Sequence, residues 1–150
     1  IADEPVSALD LSLQAKTLQI MQDLKTKYHL TLLLISHDLK TTAEFCEKIA
    51  VMYLGSIVEV IKGDSLLNNC LHPYSQALIN SIPVTHPSKR KSKKQRISGE
   101  IPSPINIPTG CAFHKRCPKK TSICEKEHPR LSLMADNHAV ACFNVKPDSE

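Results

Sequence analysis

Seven residues, LTLLLIS (Leu30–Ser36), form a nearly unbroken apolar run that is too short for a buried helix. A run of this length fits a strand covered on both faces, as in a parallel sheet. It follows a stretch with helical periodicity, in which Leu13, Ile20, Met21, Leu24 and Tyr28 share one face between Leu11 and Tyr28. Asp10 or Ser12 is placed to cap that helix. Before it, Ile1 and Ala2 read as the end of a strand stopping at Asp3. LKTTAEFCEK predicts a second helix, and IAVMYLGSIVEVI predicts two strands turned at Gly55-Ser56. A short helix near Asp64–Asn69 follows, then a proline-bounded helix in HPYSQALINSIP. Strand, helix, strand, helix, hairpin is an α/β order. It supplies too few strands for a free-standing doubly wound sheet, so the fold is expected to begin upstream of residue 1.

After Pro83 the chemistry changes. VTHPSKRKSKKQR is polar and aperiodic, with Lys89, Arg90, Lys91, Lys93, Lys94 and Arg96 close together. It reads as a solvated basic linker. The net charge of +4 lies largely there, and aromatic residues are only 4% of the chain, which argues against a stacking surface for single-stranded nucleic acid. GEIPSPINIPTGC is proline-rich and extended. No run approaches the roughly 18 apolar residues needed to cross a bilayer, and no signal peptide opens the chain, so a cytosolic setting is expected. In a reducing compartment clustered cysteines more often bind metal or do chemistry than form disulfides. Of the six cysteines, Cys46 and Cys70 stand apart. Cys111, Cys117, Cys124 and Cys142 crowd the C-terminal third in a C-x5-C-x6-C-x17-C pattern. Four thiolates could close a zinc site or hold a four-iron cluster. The absence of C-x2-4-C knuckles and the Cys117-Pro118 step favour iron–sulfur over zinc. His114, His128 and His138 are nearby, and each reads as a surface or packing residue because four cysteines already complete a site.

Asp3-Glu4 and His37 each follow the C-terminal end of an apolar run. In open α/β sheets ligands bind outside the carboxyl ends of the strands, so parallel strands would turn the acids and the imidazole toward one crevice. That trio suits phosphoryl transfer: one carboxylate for Mg²⁺, one for the attacking water, and an imidazole for the terminal phosphate. The words ADEPVSALD and LLLISHDL closely resemble the C-terminal half of an ATP-binding-cassette (ABC) ATPase, a P-loop NTPase. By that resemblance Asp3 is the Walker B aspartate binding Mg-ATP, and Glu4 is the catalytic glutamate. Ser7-Ala8-Leu9-Asp10 is the D-loop, with Ser7 and Asp10 at a dimer interface, and His37 is the switch histidine. The family's phosphate loop, G-x-x-x-x-G-K-[ST], occurs nowhere in the 150 residues, nor do its signature and Q-loops. A chain without them is expected to be a fragment unable to hydrolyse ATP alone.

HPYSQALINSIP and GEIPSPINIPTGCAFHKRCP resemble the extension of the oligopeptide/dipeptide (nickel) branch of ABC importers, and more its second ATPase subunit than its first. The family likeness also leans toward an iron–sulfur cluster. The division expected is residues 1–62 for the ATPase part, 63–83 for the helical start of the extension, 84–98 for the basic linker and 99–150 for the four-cysteine module. The function implied is the ATP-hydrolysing subunit of a peptide importer at the cytoplasmic face of the plasma membrane. Its implied partners are a second ATPase subunit, two permease subunits and, indirectly, a substrate-binding protein, with no nucleic acid. The competing reading is a non-catalytic module binding metal or nucleic acid.

Overall fold

The computed structural model describes residues 1–83, 99–100 and 102–147. The basic run Lys89–Arg96 lies outside them. The described residues are mixed α/β, with two separate sheets.

The first sheet is a parallel pair, β1 (Ala2–Asp3) and β2 (Leu34–Ile35), in register Ala2↔Leu34 and Asp3↔Ile35. Only two residues of the Leu30–Ser36 run pair, because β1 itself offers only two. The coverage of both faces expected for that run is absent among the described residues: Leu33 and Ile35 are about half exposed. Between the strands runs α1 (Leu11–Tyr28), capped at its start by Asp10, whose Oδ1 accepts from the Ser12 and Leu13 amides. The predicted apolar stripe is present but uncovered, since Leu13, Ile20, Leu24 and Tyr28 are all exposed and α1 buries no residue fully.

The second sheet is antiparallel and carries the core. Its strands are β3 (Lys48–Tyr53), β4 (Ser56–Lys62), β5 (Ser132–Ala135) and β6 (His138–Val140), in the order β3-β4-β6-β5. The β3–β4 turn falls at Leu54-Gly55, one residue earlier than predicted. Both have positive φ (45° and 80°), as a tight two-residue hairpin turn requires. A bulge follows: Val51 faces Glu59 but Met52 faces Ile57, which leaves Val58 over. That extra residue breaks the in–out alternation, so consecutive residues Val58 and Glu59 are both buried.

Between the sheets stands α2 (Leu39–Phe45), capped by Asp38. After β4 the chain makes a short 3-10 turn (Gly63–Ser65), then α3 (Leu66–Asn69) and α4 (Pro73–Ser81). Gly63 is a tight crossing: a Cβ there would lie 1.9 Å from the Cys46 carbonyl oxygen, so no larger residue fits without backbone movement. A further 3-10 turn (His114–Arg116) and α5 (Ser122–Lys126) complete the regular structure among the described residues. Ile49, Val51, Tyr53, Val58, Ile61 and Leu66 pack with Ala112 and Phe113 from the cysteine segment in one core. The Phe113 ring meets Tyr53 edge-on at 5.3 Å and Tyr74 at 5.4 Å. Burying each such large side chain contributes about 1.5–3 kcal/mol.

Candidate functional site

Parallel pairing of β1 with β2 brings residues 4 and 37 together from opposite ends of α1. The Glu4 amide donates to the Ile35 carbonyl at 2.9 Å, extending the ladder by one bond. Glu4 then leaves the strand direction with φ of 44°, a left-handed conformation uncommon for a non-glycine residue. His37 Nδ1 donates to Glu4 Oε1 at 2.6 Å. This hydrogen bond holds the Glu4 carboxyl below its ordinary value and raises the His37 imidazole above its own. Both side chains remain open to solvent. Asp3 ends β1 one residue earlier and is also exposed.

Local hydrogen bonds hold these residues from both sides. The Ser7 hydroxyl and amide both donate to the Glu4 carbonyl, at 3.1 and 3.3 Å. Gln14 reaches back from α1 and donates to the Val6 and Leu9 carbonyls, at 3.1 and 3.0 Å. Asp10 is engaged as the α1 cap. On the other strand, Asp38 caps α2 by accepting from the Lys40 and Thr41 amides, and from the Thr41 hydroxyl at 2.7 Å. The Thr41 hydroxyl is the main reason the Asp38 carboxyl lies below its ordinary value. His37 is therefore anchored between a strand and a capped helix start. Sequence reasoning assigned neither Gln14 nor Asp38; the Asp-x-x-Thr word opening a helix was the available signal for the second.

The four cysteines of the C-terminal segment are all free thiols. The Cys111 amide donates to the Cys124 carbonyl at 2.8 Å. Gly110 permits this approach, with φ of 72° and room for no Cβ: one would lie 2.4 Å from that same carbonyl oxygen. Burial is the leading cause that raises the Cys111, Cys117 and Cys142 thiols above their ordinary range. Repulsion among the sulfurs adds to it, with Cys111 feeling Cys124, Cys117 and Cys142. Backbone amides oppose the shift: Phe113 at Cys111, Lys119 at Cys117, and Asn144 with Val145 at Cys142. The sulfurs thus share one electrostatic neighbourhood. Nevertheless, among the described residues no three His, Cys, Asp or Glu side chains stand together as a metal-holding group. The expectation of a metal centre at Cys111, Cys117, Cys124 and Cys142, iron–sulfur or zinc, gains no support from these positions. Cys124 instead lies 3.3 Å from the Thr121 hydroxyl.

Two residues given no chemical role in the sequence are tied together instead. Glu59 is fully buried, and its Oε1 accepts from His138 Nε2 at 2.7 Å. The signal was a lone acid inside the apolar word IVEVI. His72, part of His72-Pro73-Tyr74, caps α4: its Nδ1 accepts from the Tyr74 amide at 3.1 Å. His114 is buried, 2.8 Å from the Cys111 carbonyl oxygen, whereas His128 is exposed.

Residues 58–124 match the family described as "Oligopeptide/dipeptide transporter, C-terminal region". Nearly the whole chain aligns with curated relatives. It is 48% identical over 145 residues to the oligopeptide transport ATP-binding protein AppF of Bacillus subtilis, covering 95% of this chain and 44% of that protein. Against the di/tripeptide transport ATP-binding protein DppF of Pseudomonas aeruginosa the identity is 44% over 146 residues, covering 97% and 45%. With the oligopeptide transport ATP-binding protein OppF of Salmonella typhimurium it is 43% over 148 residues, covering 98% and 44%. The chain spans less than half the length of these relatives. By its motifs, its matched C-terminal region and these alignments, the chain is similar over nearly its whole length to oligopeptide/dipeptide transport ATP-binding proteins.

Proposed function

We propose that this chain carries the hydrolytic side of an ATP site in an ABC importer for oligopeptides or dipeptides. The observation that carries the reading is the 2.6 Å contact between Glu4 and His37 at the carboxyl ends of two parallel strands. A carboxyl held below its ordinary range is ionised at neutral pH, and so is ready to orient and accept a proton from an attacking water. An imidazole raised above its ordinary range retains its proton more readily, and with Nδ1 given to Glu4 its other nitrogen is left for a phosphate oxygen. Asp3 would hold Mg²⁺, which supplies charge neutralisation at the phosphates. Ser7 and Asp10 sit on the loop that would face a second ATPase subunit.

In the intact transporter, ATP binding would close the two ATPase subunits and hydrolysis would reopen them. Two permease subunits would convert that motion into inward release of peptide delivered by a binding protein. Among the described residues no helix is long and apolar enough to cross a membrane. Attachment at the cytoplasmic face through the permeases accords with that. The relatives, named as transport ATP-binding proteins, do not favour the alternative of a metal- or nucleic-acid-binding module. In the protein that joins this chain to a phosphate loop, Glu4→Gln should keep ATP binding while slowing phosphate release by about 10²-fold or more. Unchanged turnover would sink the assignment.

A second reading concerns the four cysteines. The support for this reading is the sequence pattern of Cys111, Cys117, Cys124 and Cys142, since the described positions form no metal-holding group. The proposed occupant is a four-iron cluster, with zinc as the alternative. Anaerobic purification decides between them: iron with sulfide supports the cluster, stoichiometric zinc replaces it, and metal-free protein removes both.

A further inference from the structure

Glu59 lies between Val58 and Val60 on β4, with no solvent access at all. A carboxylate withdrawn from water is strongly disfavoured unless donors surround it. Three donors do. The Leu71 amide reaches Oε1 at 2.7 Å, the His72 amide reaches Oε2 at 3.2 Å, and His138 Nε2 reaches Oε1 at 2.7 Å. The first two form the turn that opens α4. The third begins β6, 79 residues along the chain from Glu59.

We propose that Glu59 is an interlock, a single carboxylate that makes the ordering of α4 and the docking of the C-terminal cysteine module one cooperative event. Its consequence is that a disturbance at the cysteines is felt at α4, and the reverse. Cys142 stands two residues beyond Val140, the last residue of β6, so whatever reorganises the thiols pulls on this strand.

The rest of the contact makes the carboxylate decisive. β6 pairs with β4 at only two positions, Glu59↔Val140 and Val60↔Ala139, with one more bond from the Ala141 amide to the Val58 carbonyl at 2.9 Å. So short a ladder is marginal by itself. Glu59 stands inside that ladder through its backbone and reaches out of it through its side chain. The other ionisable groups around the carboxylate are Cys70 and His72. Burial, with Glu59 itself adding, pushes the Cys70 thiol up to about 11, and burial pushes His72 down to about 4. Both are therefore neutral at pH 7. Neutral His72 keeps the Nδ1 lone pair that caps α4 while its own amide holds Glu59. The Phe113 ring lies 6.0 Å from the His72 ring, so the cysteine segment packs against the same turn.

Amide hydrogen exchange on the full chain tests this, read at Leu71 and His72 on one side and at Ala141 on the other. His138→Leu removes the donor on the β6 side only, and Pro73→Gly loosens only the start of α4. The interlock requires each variant to speed exchange at both sites by on the order of tenfold, the scale of losing one hydrogen bond. Protection at Ile49 and Val51 of β3 should be unchanged, which separates the effect from global unfolding. Glu59→Gln should give the largest change at both sites, and where that variant does not fold, the other two still decide. Faster exchange confined to the altered side in both variants, or no change in either, overturns the proposal.

Discussion

The parallel pair β1–β2 and the antiparallel sheet β3-β4-β6-β5 belong to one chain, yet their surroundings are opposite. Around the pair, α1 leaves Leu13, Ile20 and Leu24 in solvent, and Leu33 and Ile35 stand half exposed on β2. Around the sheet, Ile61, Leu66, Phe113 and Val140 are almost wholly inaccessible. Both halves are equally apolar in pattern; what differs is the supply of neighbours. An antiparallel hairpin needs one face covered, and here the cysteine segment covers it and extends the sheet. Parallel strands need layers on both sides. The half that carries Glu4 and His37 is thus the half whose apolar surface lies open among the described residues.

The sharpest way to break this contrast is a pair of identical truncations. Ile61→Ala, at 1% exposure, should cost about 2–5 kcal/mol of stability in denaturant unfolding. Ile20→Ala, at 58% exposure, should fall within about 0.5 kcal/mol in this chain. Equal costs would mean that α1 is covered after all. A smaller effect belongs to the caps. Asp10→Ala removes the acceptor for the Ser12 and Leu13 amides and should cost about 1 kcal/mol, read as lost helicity in α1. An unchanged helix would show that Gln14 and the preceding loop hold α1 without it.

The smallest effect is electrostatic. By NMR, His37 should titrate above 6.5, and Glu4→Gln should bring it back toward that value. The sign follows from linkage. The histidine's part of the stabilisation is complete below 6.5 and is lost as pH rises through the raised folded value. The carboxylate's part is present above 4.5 and is lost as pH falls through the lowered folded value. A His37 titration at or below 6.5 would mean that the contact is not made in solution.

Much of the local structure was legible. The α1 bounds, its Asp10 cap and the helix after His72 follow from periodicity and capping chemistry over neighbouring residues. The hairpin was legible as well, but its turn was misplaced by one residue, because a left-handed leucine beside Gly55 goes against intrinsic preference. Glu59 was missed because alternation predicts one face per residue, and a bulge cancels that rule. The four cysteines were legible as a cluster. That they form no metal-holding group among the described residues was not, because it depends on how segments up to 31 positions apart are packed.

Sequence alone determined the vocabulary: the acid pair before a loop, the imidazole after an apolar run, the capped helices and the spaced cysteines. These depend on groups within a few residues of one another, where backbone bonding and side-chain reach are set by covalent geometry. Tertiary structure decided that Glu4 meets His37, that Glu59 is sealed beneath His138 and that β6 completes the sheet begun by β3 and β4. Those contacts join residues 33 to 79 positions apart, so they form only where pairing and burial outweigh the entropy of closing the chain between them.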